Sequence, residues 1–209
     1  LAAAIGSGLP INEPIGNLIV DVGGGTSETA LISMGGVVAL EAVRVGSFDL
    51  DVAIQNFIKK EFGVAIGERT AEEIKLTIGS ASAYEGELRA EVRGRHIASG
   101  LPEVVVVSPS EIREAIEEPV STMVDSVTSC LSKAPPEMAQ DIIVQGISLV
   151  GGGSLLKGFD KRLSEETDVP VHIVPNALEA VVLGAGRCIE SFESVRAMFM
   201  EDPNARQRR

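Results

Sequence analysis

The sequence predicts an α/β fold with a small α+β subdomain inserted into one of its connections. Three observations lead there. Residues 18–45 alternate short apolar runs with Gly pairs and triplets, as a meander of strands does. Apolar stripes at helical spacing follow, some opened by recognisable caps. A second Gly triplet, at 151–153, lies between a strand-like run and a helical one.

From the N-terminus, residues 1–5 (LAAAI) are apolar, begin without Met and have no capping residue before them, which reads as a helix cut in half and as a piece of a longer protein. A Gly- and Pro-rich connection leads to a strand over 18–22, carrying Leu18, Ile19, Val20 and Val22. Gly23-Gly24-Gly25 follows, then 26–33 alternates polar and apolar as a half-buried strand, and Gly35-Gly36 turns it into a third, 37–45. The first triplet reads as a phosphate-binding hairpin, because three glycines without Cβ atoms let backbone N–H groups converge on an anion. Asp21, at the strand end, is placed to hold a metal through water, and Thr26 and Ser27 add hydroxyls at the same mouth. The alternative is a tight hairpin that binds nothing. A dinucleotide fingerprint needs glycine where Glu28 stands and a helix next, and a Walker A loop needs Gly-Lys-Ser/Thr; neither is present.

A helix over 48–62 carries Leu50, Ile54, Phe57 and Ile58 and stops at Gly63. Thr70-Ala71-Glu72-Glu73 has the form of a capping box, so the next helix is expected to start at Ala71 and to bury Ala71, Ile74, Ile78 and Ala81. Glu72, Lys75 and Gly79 then share an adjoining face, either as a solvated ion pair or as a ledge for a purine ring and ribose. As an exposed pair, its removal by Lys75→Ala is expected to leave stability within about 0.5 kcal/mol. Strands over 87–95 and 103–107 complete an inserted unit, 46–107, of two helices and two strands; His96, in the loop between the strands, is assigned no chemistry.

Ser108-Pro109-Ser110-Glu111 is a second capping box, with proline at the first helical position. Its stripe of Ile112, Ile116, Val120, Met123, Val127 and Cys130 runs past Pro119, where a kink is expected. Pro135-Pro136 opens a short helix toward Ile142. Residues 147–150 form a strand, and Gly151-Gly152-Gly153-Ser154 joins it to a helix bearing Leu155, Leu156, Phe159 and Leu163, presenting N–H groups at the helix start. A strand over 171–174 and an apolar helix over 177–190 follow, and 191–209 lacks any period and reads as a disordered tail.

Composition narrows the partners. With 18 Lys and Arg against 30 Asp and Glu, a net charge of -12 argues against nucleic acid and against docking on anionic lipid. Hydrophobic content of 44% over 209 residues is ample for a core. Cys130 and Cys188 lack metal-like spacing and read as buried thiols of a reduced, cytosolic chain. No apolar run approaches the roughly 18 residues of a membrane span, and no signal-peptide pattern opens the chain.

The segments VDVGGGTSE, AEEIK and LVGGGSLLKGF occur in the order of the second phosphate loop, adenosine-contacting helix and adenosine loop of the actin-like ATPases. More closely, AAAIGSGLP, IGERTAEEIK, EVRGRHIASGLP, SEIREAIEEP, APPEMAQDI and LVGGGSLLKGFDKRLSEETDVPV resemble the MreB family of bacterial actins, the rod-shape determining proteins, over about residues 1–190. The resemblance implies an actin-like (RNase H-like) lobe with a mixed five-stranded sheet flanked by helices. Residues 9–45 and 108–176 would form subdomain IIA, 46–107 the inserted IIB, and 1–8 and 177–190 helices of a first lobe outside this sequence.

The resemblance also implies ATP and Mg2+ as cofactors. Asp21 would support hydrated magnesium, Gly23, Gly24, Gly25 and Thr26 would face the β- and γ-phosphates, and Thr26 would also help position the attacking water as the catalytic candidate. Glu72, Glu73 and Lys75 would contact the nucleoside, and Gly151, Gly152, Gly153 and Ser154 would lie under adenine and ribose. The implied function is the C-terminal part of an ATP-binding filament protein that organises cell-wall synthesis and maintains cell shape. Its implied partners are other protomers and the membrane proteins of cell shape and wall synthesis, in cytoplasmic filaments on the inner face of the membrane, with membrane contact through the first lobe only. The water-polarising glutamate of the family is expected in a Glu-Pro pair before Leu1, so this stretch alone is expected to bind ATP poorly and to lack ATPase activity. A sugar or metabolite kinase of the same superfamily and a nucleotide-free docking scaffold are the alternatives.

Overall fold

The computed structural model describes residues 1–86 and 88–190. The tail at 191–209 and Glu87, first residue of the strand expected over 87–95, lie outside the described residues. In chain order the elements are α1 (Ala2–Gly6), β1 (Asn17–Val22), β2 (Ser27–Ser33), β3 (Gly36–Val43), α2 (Ser47–Phe62), β4 (Val64–Ala65), α3 (Glu68–Ile78), β5 (Ala90–His96) and β6 (Pro102–Val107). Then come α4 (Pro109–Ala115), α5 (Glu117–Ser132), α6 (Pro136–Gln145), β7 (Ile147–Val150), a 3-10 turn (Gly152–Leu155), α7 (Phe159–Thr167), β8 (Val171–Ile173) and α8 (Ala180–Glu190).

The meander β1 to β3 pairs antiparallel, Val22 lying opposite Ser27 across the Gly triplet, while β7 runs parallel to β1 and β8 parallel to β7. The result is a mixed five-stranded sheet in the order β3-β2-β1-β7-β8. Side chains alternate between its faces. Leu18, Val20, Leu31 and Leu149 enter the main core with Ile54, Val120, Val127 and Phe159 of the helices. Ile19, Ala30, Ile32 and Val150 enter a second core with Ala3, Ala4, Ala177 and Ala180. α1 and α8 therefore rest on this chain's own sheet, with Val181, Val182, Leu183 and Ile189 turned outward. Their crossing is close enough to exclude any side chain: a Cβ on Gly184 would lie 1.8 Å from the Ala2 carbonyl oxygen.

The inserted unit has a three-stranded antiparallel sheet, β4-β5-β6, where two strands were expected. At two residues β4 is too short to show a period. α3 begins at Glu68, two residues before Thr70, with extended Gly67 as its cap and no side-chain cap bond. Ala71 N–H donates to the Gly67 carbonyl, so the anticipated Thr70 box does not form. The Ser108 box does form, Ser108 N–H donating to Glu111 Oε2 at 2.8 Å and Glu111 N–H to Ser108 Oγ at 3.4 Å. The break falls at Ile116 because Pro119, without an N–H, leaves the Ala115 carbonyl one turn back without its helical donor. The second Gly triplet leads into the 3-10 turn rather than directly into a helix, and α7 waits for Gly158 at φ 69°. Among the described residues no helix is long and apolar enough to cross a membrane.

Candidate functional site

Because β1 and β7 are adjacent and parallel, the Gly triplets that follow them open at the same end of the sheet, where ligands of open α/β sheets bind. In the first loop Gly23 N–H donates to the Thr26 carbonyl at 2.8 Å, closing the turn. The start of α2 is fastened to it: Ser47 N–H donates to the Gly23 carbonyl at 3.0 Å and Phe48 N–H to that of Gly24 at 2.8 Å. A Cβ on Gly46 would stand 2.5 Å from the Gly24 oxygen, so only glycine permits this approach. With the carbonyls engaged, the amides of Gly24 and Gly25 have no acceptor among the described residues. They are the donors an anion can use.

The second loop is built around Gly151, at φ 83° and ψ 159°, whose N–H donates to the Ala177 carbonyl at 2.8 Å. A Cβ there would lie 2.3 Å from the Val22 carbonyl oxygen and 2.6 Å from Asp21 Oδ1. Buried Ser154 donates from Oγ to the Gly151 carbonyl at 2.7 Å, bracing the loop from behind.

α3 supplies the third wall. Together these elements enclose a cavity of about 590 Å³ lined by Asp21, Gly23, Gly24, Glu72, Lys75 and Gly151 to Gly153, with Phe48, Leu76, Leu155 and Leu178 as apolar surface. That is the size and the polar-on-apolar character of a small-molecule site. A larger groove of about 950 Å³ between α2 and α4 to α5 is lined by helix side chains such as Phe57, Glu111 and Glu118 and contains no Gly loop.

Of the sequence candidates, Asp21, Gly23, Gly24, Glu72, Lys75, Gly151, Gly152 and Gly153 meet at the cavity. Gly25 and Thr26 sit exposed at the hairpin tip beside it, and Ser154 is behind the wall. Glu73 points elsewhere, pairing with Arg69 at 3.1 Å in solvent. Lys75 corrects the picture of an exposed ion pair: it is buried, and its partner is Asp51, at 2.8 Å, not Glu72. Its Nζ also donates to the Ser47 carbonyl at 3.0 Å. The small stability effect expected for Lys75→Ala is corrected with it, since the change strands a buried carboxylate.

Sequence reasoning missed Ser47, Phe48, Asp51 and Leu178. Asp51 left one trace, an acid beside Leu50 on the buried side of the 48–62 helix. Burial pushes the Asp51 carboxyl above its ordinary range despite Lys75, and burial followed by nearby Glu28 does the same to Asp21. No cluster of three His, Cys, Asp or Glu able to ligate a metal occurs among the described residues. A cation here would meet Asp21 as its protein carboxylate, a hard oxygen that suits Mg2+ carried largely by water and phosphate.

Comparison with known proteins agrees across sequence and structure. The family described as MreB/Mbl protein matches residues 1–197. Cell shape-determining protein MreB of Escherichia coli strain K12 is 44% identical over 193 residues, 92% of this chain and 56% of that protein. Cell shape-determining protein Mbl of Bacillus subtilis strain 168 is 39% identical over 193 residues, again 92% of this chain and 58% of its own length. The chain spans just over half the length of these curated relatives. Among solved structures, MreB5 of Spiroplasma citri bound to AMPPNP has a TM-score of 0.87 at 36% identity, covering 92% of this chain and 58% of that one. The ADP-bound form of that protein covers 96% and 60% with the same TM-score, 0.87. The MamK double helical filament, with a TM-score of 0.74 at 20% identity, shares the fold.

Proposed function

Given that this chain belongs to the MreB/Mbl family and has its actin-like fold, we propose that it is the nucleotide-holding C-terminal part of a filament protein that organises wall synthesis and maintains cell shape. The observation that carries this reading is the meeting of both Gly loops and the α3 wall at one cavity, with the Gly24 and Gly25 amides unengaged. The ligand is ATP. Solved relatives holding AMPPNP and ADP support a nucleotide.

The phosphates meet the first loop, with Gly24 and Gly25 N–H groups donating; the nucleoside end meets Glu72, Lys75 and the second loop. Mg2+ fits beside Asp21, whose half-buried carboxyl gains from a nearby cation; the ion supplies charge neutralisation at the phosphates. Thr26, at the open tip of the hairpin, orients water toward the terminal phosphate. Residues 46–107 act as the inserted subdomain. The partners are further protomers and wall-synthesis membrane proteins, on filaments at the inner face of the membrane.

The test is phosphate release and ATP-dependent pelleting by the full gene product that carries this sequence, with Thr26→Ala as control. Polymer formation with turnover that the Thr26 change abolishes is expected. Turnover unaffected by Thr26→Ala removes that residue's role, and absence of ATP binding removes the reading itself.

A further inference from the structure

Asp51 lies one layer behind the cavity, paired with buried Lys75 of its lining, and stability does not explain the pair. Both residues are nearly sequestered, at 7% and 8% exposure. Replacing a buried ion pair by apolar side chains of similar size is commonly neutral or stabilising, and this one is incompletely satisfied: Asp51 Oδ1 is buried without a hydrogen-bond partner.

Its geometry is suited to aiming a cation. The Lys75 ammonium has three N–H donors. One goes to Asp51 Oδ2 and one to the Ser47 carbonyl, both on the first turns of α2, while Lys75 itself lines the cavity. The same turn is held to the phosphate loop through the Ser47 and Phe48 amides. One short stretch of α2 thereby sets the loop and the ammonium in a fixed relation.

We infer that Asp51 is a positioning residue, holding the Lys75 ammonium at the cavity wall so that its remaining N–H meets an oxygen of the bound nucleotide. The inference rests on the nucleotide reading above. It requires that Asp51 act through Lys75 and not independently of it.

A double-mutant cycle in the full gene product tests this, with Mg-ATP affinity measured by calorimetry. Asp51→Asn keeps the side-chain shape and removes the charge. In the presence of Lys75 it is expected to weaken ATP binding about ten- to a hundredfold, the worth of one misplaced charge-assisted hydrogen bond. In a Lys75→Met background it is expected to change nothing. Equal losses in both backgrounds would show that Asp51 acts through the fold at large and overturn the inference. Should Asp51→Asn alone not fold, the double variant, in which neither charge is stranded, still decides: an affinity unlike that of Lys75→Met alone overturns it.

A second readout separates this inference from the nucleotide reading. Without ligand, Lys75 is expected to resist amine-reactive labelling in the wild type and to become labelled in folded Asp51→Asn. Protection that persists in the variant overturns the positioning role even if ATP binds. A wild type that binds no ATP removes the nucleotide reading, whatever the labelling shows.

Discussion

Replacing Gly151 by alanine places a methyl group where two strands and two loops converge. At φ 83° and ψ 159° the residue occupies a region open essentially to glycine alone, and a Cβ there costs about 1–3 kcal/mol in backbone strain. That Cβ would also lie 2.3 Å from the Val22 carbonyl oxygen and 2.7 Å from its carbon, which are backbone atoms inside the sheet and cannot swing away. Overpacking of this kind adds about 1–3 kcal/mol. The sum, roughly 2–6 kcal/mol, is a large share of the stability of about 5–15 kcal/mol usual for a domain, and corresponds to a fall in Tm on the order of 10 °C. Urea unfolding of the two proteins side by side measures it. Gly186→Ala is the control, since a Cβ there meets nothing within 4 Å and lies inside α8, where alanine is favoured by about 0.5–1 kcal/mol. A Gly151→Ala protein within about 0.5 kcal/mol of wild type would refute the argument that this loop packs on Val22 and Asp21.

Lys75→Ala is expected to destabilise by about 3–5 kcal/mol near neutral pH, because Asp51 is left buried and unpaired. Burial raises the folded-state pKa of Asp51, so stability is retained at low pH and lost as pH rises through that value; the deficit of the variant, followed by urea midpoints, is expected to shrink on acidification. Gly184→Ala, only two positions from the control, is expected to separate α1 from α8 and lower the thermal midpoint, read by calorimetry, whereas Gly186→Ala raises it. Glu117, held below its usual carboxylate range by bidentate Arg162, is partly exposed, so Glu117→Gln is expected to cost no more than about 1 kcal/mol at pH 7, the difference from wild type disappearing as pH falls through the carboxylate range.

What the residues announced locally was mostly legible. The Ser108 box is closed by atoms three residues apart, the meander is written in its apolar runs and glycines, and the stripe from Ile112 to Cys130 is buried throughout. Thr70 carried the same capping signature and misled, because the cap depends on the backbone of Gly67, which comes one residue after β4 ends. The second Gly triplet misled in a similar way: a following apolar pattern does not reveal that Gly151 and Gly158 both take positive φ and divide the segment into a turn and a helix. The least legible feature was the partner of Lys75. Glu72 is nearer in sequence, yet the packing of α2 on α3 brings in Asp51 and buries the pair. That the sheet is mixed and five-stranded came from the resemblance; its order was not read at all, since pairing β1 with β7 joins segments that no local pattern connects.

The central claim is that nucleotide meets both Gly loops in one cavity, and amide chemical shifts of the isotopically labelled 209-residue chain, followed as Mg-ATP is added, test it directly. The chain spans just over half the length of its curated relatives; if the remainder supplies two or three charge-assisted hydrogen bonds, each worth ~1.5–3 kcal/mol, weak binding in the millimolar range is expected for this stretch, which this measurement resolves. The expected result is concerted movement of the Gly23, Gly24, Gly25, Gly151, Gly152 and Gly153 resonances, with those around Phe57 and Glu118 unmoved. Shifts confined to the groove between α2 and α5, or to one Gly loop without the other, would contradict it.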